Sequence, residues 1–160
     1  MCGVNLEETS IERALGIQWC VSSDEFQFCI SIPAKPKTRR GILSTVASIY
    51  DPMGYIAPFT LVGKQILQEM CRENMAWDEP LSEHLGLRWD RWLLDLPKLA
   101  DIKIQRHVEP KDFGTIVSRE LHHFSDASFS GYGQCSYLRL VNDRNEVFCI
   151  LMMGKSRDRL

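Results

Sequence analysis

Glu120-Leu-His-His-Phe-Ser-Asp126-Ala-Ser-Phe-Ser-Gly131-Tyr-Gly133 is a strand-like run that delivers one carboxylate to its end and then meets two glycines. Glycine tolerates backbone conformations that other residues avoid, so Gly131 and Gly133 are expected to turn the chain tightly and leave Asp126 exposed at the sheet surface. Two further strands are expected downstream, over 133–141 and 146–153, joined by the turn-rich Asn142-Asp143-Arg144-Asn145. The three segments predict an antiparallel meander. The tail Gly154-Lys-Ser-Arg-Asp-Arg-Leu160 is basic and lacks a periodic pattern, and is expected to be irregular.

Upstream the period changes. Ile102-Lys-Ile-Gln-Arg-His-Val108 alternates and predicts a strand, followed by a polar loop from Glu109. Leu85, Trp89, Trp92, Leu93 and Leu96 recur at helical spacing, predicting a helix over 81–96 with Ser82 as cap and Pro97 as terminator. Trp77, Trp89 and Trp92 are read as core aromatics rather than base-stacking platforms. Ile42, Val46, Ile49 and Tyr50 form one apolar face of an earlier helix capped by Thr38. Asp51-Pro-Met-Gly54 breaks that helix, and Pro58 opens another, bearing Leu61, Val62, Ile66, Leu67 and Met70 and running to about Glu73. The pair predicts a helical hairpin. Before it lie two β-rich runs, 14–21 and 26–32, separated by Ser22-Ser-Asp-Glu25, a β-hairpin pattern. An isolated hairpin is marginal in water and must lean on a neighbour.

The expected class is therefore α+β, in three regions: a β-hairpin region over 1–33, a helical region over 34–108, and the meander over 109–160. With 19 basic and 21 acidic residues the chain has no global pull toward nucleic acid, so such binding must come from a local patch. Pro33-Ala-Lys-Pro-Lys-Thr-Arg-Arg40 supplies four cations, Lys35, Lys37, Arg39 and Arg40, and the tail adds Lys155 and Arg157. These are the candidate phosphate contacts. The six cysteines show no metal or redox spacing and are expected to be reduced and mostly buried, as in an intracellular protein, cytoplasmic or nuclear. Met1–Arg13 carries three glutamates and no apolar core of a signal peptide, and no apolar run approaches the roughly 20 residues needed to span a bilayer. His122 and His123 are adjacent on a strand, so they face opposite sides and cannot chelate one ion; one is expected packed and one exposed. Asp51, Glu120 and Asp143 suit a helix corner, the far end of the strand and a turn, which leaves Asp126 without a second acid.

The stretch Arg40-Gly-Ile-Leu-Ser-Thr-Val-Ala-Ser-Ile-Tyr-Asp-Pro-Met-Gly-Tyr-Ile-Ala-Pro-Phe-Thr60 resembles Pao/BEL-type LTR retrotransposon polyproteins between reverse transcriptase and ribonuclease H, a region labelled Pao retrotransposon peptidase. Leu15-Gly-Ile-Gln-Trp19 and Gly154-Lys-Ser-Arg157 carry the same resemblance, and 120–133 resembles the opening of a ribonuclease H fold. The resemblance implies a primer-grip-like hairpin, a thumb or connection-like helical region, and the first three strands of an incomplete ribonuclease H-like fold. It makes Asp126 the first metal-binding acid, with Mg²⁺ as cofactor of the intact parent enzyme and an RNA–DNA hybrid as the nucleic acid held. The other acids of that set, a glutamate on the next helix and two further aspartates, have no counterpart here, so the chain is expected to lack intrinsic catalysis. A nucleic-acid-binding module is the alternative. A second alternative, an aspartic peptidase built by two copies each lending one aspartate, meets Asp126-Ala-Ser where such enzymes present Asp-Thr-Gly or Asp-Ser-Gly. An exposed sheet edge is expected to favour self-association.

Overall fold

The computed structural model describes residues 11–14, 17–30, 34–129 and 131–158. In order these form β1 (Ile11–Ala14), β2 (Ile17–Cys20), β3 (Glu25–Gln27), α1 (Arg39–Ala47), α2 (Ala57–Arg72), α3 (Glu83–Asp95), a 3₁₀ helix (Leu96–Asp101), β4 (Lys103–Gln105), β5 (Ile116–Ala127), β6 (Gly131–Asn142) and β7 (Val147–Asp158). The class is α+β, with one four-stranded sheet, β1-β2-β3-β4, and one three-stranded sheet, β5-β6-β7. Leu15, Gly16 and Ser31–Pro33, part of the expected hairpin and linker, lie outside the described residues, as do Cys2 and Arg159–Leu160.

The predicted alternating segment after the helices is β4, and it completes the first sheet by pairing with β3 through Phe26 opposite Ile104. Asp24, in the β2–β3 turn with φ +54°, fastens this join. Its carboxylate accepts from Trp19 Nε1 at 3.0 Å and from Arg106 Nε at 2.5 Å. The Arg106 guanidinium holds the Asp24 carboxyl below its ordinary pKa.

The helices form because their apolar positions coincide on inward faces. Ile42 and Val46 of α1, Ile66 and Met70 of α2, and Leu85, Trp89 and Trp92 of α3 close one core with Phe28, Leu96 and Leu99. Complete burial of a side chain such as Ile42, Ile66 or Leu85 contributes about 1.5–3 kcal/mol. Trp89 and Trp92 stack at 4.8 Å, and Trp92 Nε1 donates to the Phe59 carbonyl at 3.0 Å, so the buried indole keeps its hydrogen bond. Thr38 caps α1 as predicted, accepting from the Gly41 N–H. Ser82 precedes α3 but bonds His84 Nδ1 rather than the backbone. α3 ends at Asp95, just before Pro97 as expected, and Pro97 sits in the first turn of the 3₁₀ helix that follows, where its missing N–H costs nothing. α1 ends at Ala47, so Ile49 and Tyr50, counted on its face, lie beyond it, and Tyr50 is exposed; Val62 of α2 is also exposed.

The corner between α1 and α2 is built by Asp51, whose two carboxylate oxygens accept from the N–H groups of Tyr55 and Ile56 at 2.9 and 3.0 Å. Burial pushes the Asp51 carboxyl above its ordinary pKa, against the lowering effect of these same bonds. The corner then docks on β7: Gly154 N–H donates to the Met53 carbonyl at 2.8 Å and Ser156 Oγ to the Ala57 carbonyl at 3.0 Å. Gly54 has φ +73°, and a Cβ there would lie 1.7 Å from the Gly154 carbonyl oxygen, while one at Gly154 would lie 2.7 Å from that of Gly54. Two bare backbones meet at this point. The predicted irregular tail is thus mostly strand, because β7 runs to Asp158 with its Gly131 and Tyr132 partners.

On the meander's other side, Leu140 is buried and Phe113 packs edge-on against Phe148 at 6.2 Å. The β6–β7 turn is held by buried Asn142, whose Nδ2 donates to the Phe113 carbonyl and to Glu146 and whose Oδ1 accepts from the N–H of Arg144 and Glu146. The five described cysteines are free, but Cys29, Cys71 and Cys149 are exposed and Cys135 is half-buried, so among the described residues only Cys20 is buried as expected. Among the described residues no helix is long and apolar enough to cross a membrane.

Candidate functional site

Asp126 lies inside β5, one residue before its end, opposite Gly133 of β6 and, beyond it, Ser156 of β7. Paired residues of an antiparallel sheet share a face, so Asp126 stands on the same side as Phe124, Tyr137 and Ser156, the side on which α2 begins. There a cleft of about 560 Å³ opens between the start of α2 and the sheet, lined by Asp126 with Tyr55, Leu61, Phe124, Tyr137 and Leu151. Its walls are aromatic and aliphatic. The exposed Asp126 carboxylate accepts from its own chain's Ala127 N–H at 2.9 Å.

Gly131 and Gly133 do not turn the chain. Both lie within β6 and neither has positive φ. Gly131 is small for another reason: a Cβ there would come within 2.6 Å of the Arg157 carbonyl oxygen.

A second acid on the Asp126 face is Asp158, opposite Gly131 and two strands across. Strand spacing and rise put their Cα atoms roughly 12 Å apart. Periodicity had no means of finding it, since the tail's strand is visible only through its pairing with β6. Glu120 bonds His122 Nε2 at 2.9 Å and Arg139 at 3.2 Å, which together hold its carboxyl below the ordinary range. His123 bonds Ser136 Oγ at 2.8 Å on the opposite face. Both histidines are exposed, so neither is packed as one was expected to be. Asp143 occupies the β6–β7 turn, as its sequence context indicated.

Among the described residues, three acid or histidine side chains converge at Glu69, Glu73 and His84, on α2 and the first turn of α3. No linear spacing announces this group, because helix packing brings it together. It is served by a cation of the chain itself: Arg88 pairs with Glu69 and lowers its carboxyl pKa.

The basic cluster at the start of α1 is largely engaged. Lys37 pairs with Asp90 at 2.7 Å and Arg40 with Asp78 at 2.9 Å. Lys35 Nζ donates to Ser44 Oγ at 2.6 Å, and Arg39 donates to the Met75 carbonyl at 3.3 Å. The Arg39 guanidinium lies 4.3 Å over the Trp77 ring, and that of Arg40 lies 5.8 Å from it. Trp77 is therefore a surface residue of this patch, 45% exposed, and not the core aromatic that was expected. Four cations against two acids leave the patch with a surplus of two positive charges. Lys155 and Arg157 alternate with Ser156 on β7 and belong to the sheet face opposite Asp126, pairing with Gln134 and Tyr132.

A protein-family model described as Pao retrotransposon-like RNaseH-like domain matches residues 38–159. No curated protein and no solved structure matches the chain.

Proposed function

Since this chain belongs to the Pao retrotransposon-like RNaseH-like family, we propose that it is the connection between reverse transcriptase and ribonuclease H of a Pao/BEL polyprotein, holding nucleic acid without cutting it. The observation that carries the reading is the isolation of Asp126. Two-metal phosphodiester cleavage needs ions about 3.5–4 Å apart, clamped by several converging carboxylates. Asp126 spends an oxygen on the Ala127 N–H, and among the described residues the acids sharing its face are Asp158, two strands away on β7, and Glu120, six residues back along β5 and held by His122 and Arg139. That donor set does not fit a pair of Mg²⁺ ions, which demand near-octahedral oxygen ligands at about 2.0–2.1 Å. The peptidase alternative is supported even less, because Asp126 sits within a strand and not on a tight loop.

In this reading the helical unit is the nucleic-acid face. Lys35 and Arg39 offer charge toward a phosphate backbone, Lys37 and Arg40 exchange their carboxylate partners for phosphates on binding, and Lys155 and Arg157 supply a separate contact on the sheet. Affinity for an RNA–DNA hybrid should then fall with salt, with a log–log slope of about −4 to −5 for six phosphate contacts. Charge reversal at Lys35 and Arg39 together should flatten it. Hybrid incubated with the protein and Mg²⁺ or Mn²⁺ should remain intact; turnover that disappears in Asp126→Asn would overturn the reading, as would binding indifferent to salt.

A further inference from the structure

Trp89 and Trp92 fill the helical core at 3% and 4% exposure, whereas Trp77 keeps 45% of its surface open. It occupies the second position of a turn from Ala76 to Glu79, where the Glu79 N–H donates to the Ala76 carbonyl and Glu79 Oε2 accepts from the Ala76 N–H at 2.9 Å. Main-chain contacts strap this turn to the basic segment before α1. The Arg40 N–H donates to the Trp77 carbonyl at 3.0 Å, the Leu81 N–H donates to the Lys37 carbonyl at 3.0 Å, and Thr38 bridges Pro80. The place of the ring among Lys35, Lys37, Arg39 and Arg40 is therefore set by backbone. Arg39, tethered to the Met75 carbonyl at 3.3 Å, lies 4.3 Å over the ring, and the open part of the indole looks out from a group of cations.

We infer that Trp77 is a stacking platform for an unpaired base, with Lys35 and Arg39 on the phosphates that flank it. The inference rests on the nucleic-acid reading above and narrows the ligand at this patch to single-stranded RNA or DNA. A flat aromatic ring set among cations matches a polyanion that itself carries flat rings. Inside a duplex both faces of each base are covered by its neighbours, so an indole has nothing to stack on; a single strand offers the face of every base. Such a stack is tolerant of sequence, because every base has a π-face, and so are contacts to phosphate. Among the described residues neither Lys35 nor Arg39 has a carboxylate partner, since Lys35 donates to Ser44 Oγ and Arg39 to the Met75 carbonyl. Both keep their charge for the strand. Arg39 also links the two kinds of contact, because the cation that braces the ring stands beside it.

Titration of the full 160-residue chain with poly(A) and with a long poly(A)·poly(dT) hybrid tests it. Trp77→Leu should weaken affinity for poly(A) by roughly 5- to 150-fold and leave affinity for the hybrid within about threefold of the unaltered chain. Trp77→Phe, which keeps a π-face, should retain most of the single-strand affinity. The salt slope should be the same in all three proteins, because stacking releases no counterions, whereas charge reversal at Lys35 and Arg39 flattens it. Poly(A) should also quench tryptophan fluorescence in the unaltered chain, and the quench should be missing in Trp77→Phe. That second readout decides the matter if Trp77→Leu fails to fold. Binding of both polymers that Trp77→Leu leaves unchanged, an equal loss on strand and hybrid, or a quench that persists in Trp77→Phe would overturn the inference while the nucleic-acid reading stands. Absence of binding to either polymer would overturn both.

Discussion

Replacing Gly54 by alanine should loosen the meander from the helical unit, and the size of the effect follows from the contact. The new Cβ would stand 1.7 Å from the Gly154 carbonyl oxygen, at least 1.3 Å inside the 3.0 Å that real Cβ atoms keep, and the obstacle is backbone, which cannot swing aside. Left-handed φ at a residue with a Cβ costs about 1–2 kcal/mol, and forced separation of packed groups costs about 1–3 kcal/mol more. The total of about 2–5 kcal/mol corresponds to a fall in Tm of roughly 5–20 °C for a chain of this size. Gly154→Ala, with its 2.7 Å contact and ordinary φ, should cost less. The two should be non-additive, since either one alone opens the same contact. Trp19, Trp77, Trp89 and Trp92 all lie outside the meander, so tryptophan fluorescence follows the helical unit while far-UV circular dichroism also follows β5–β7. In Gly54→Ala the two transitions should separate, whereas in the unaltered chain they should coincide. Gly86→Ala is the control: nothing lies within 4 Å of its Cβ, and in a helix interior the change should raise stability by about 0.5–1 kcal/mol. Coincident, unshifted transitions in Gly54→Ala would refute the argument that this contact couples the two units.

Asp51→Ala should cost about 1–2 kcal/mol in urea unfolding, because the N–H groups of Tyr55 and Ile56 lose their acceptors at the entry to α2. Asn142→Ala should cost about 1–3 kcal/mol and raise amide exchange at Glu146, whose N–H would be left without its buried partner. Acid should destabilise the fold through Asp24: a carboxyl whose folded pKa lies below its unfolded value stabilises the native state above the unfolded value and loses that contribution as pH falls through the folded one. Asp24→Asn should therefore flatten the decline in Tm on acidification; an unchanged slope would remove Asp24 from the account. Asp51 has the opposite sign, its raised pKa making ionisation a cost that appears as pH rises, so Asp51→Asn should not reproduce the Asp24→Asn result.

The helices were legible because burial at Ile42, Val46, Ile66, Met70, Leu85, Trp89 and Trp92 repeats with the helical period, and a cap such as Thr38 is a local signal. The meander was legible in its alternation, and its ends were not. Gly154-Lys-Ser-Arg157 has little strand propensity of its own and is held extended by β6, which is tertiary context overriding local preference. Trp77 was not legible because a single aromatic has no period; its place at the surface depends on Arg39 and Arg40, nearly forty residues earlier. Gly131 and Gly133 signalled a special backbone requirement correctly in kind for Gly131, but the requirement is closeness to β7, not a turn. Asp126 was found by its position in the strand, while Asp158 and the Glu69–Glu73–His84 group depend on contacts that no linear pattern encodes.

The pairing of β3 with β4 closes a loop between Glu25 and Gln105, 80 residues apart. During synthesis at about 5–20 residues per second, the β2–β3 pair therefore waits roughly 4–16 seconds with an open flank before its last strand exists. All three helices are made in that interval, so a chaperone or a misplaced segment that meets the nascent chain would find the first sheet, and not the helical core, as its unguarded target.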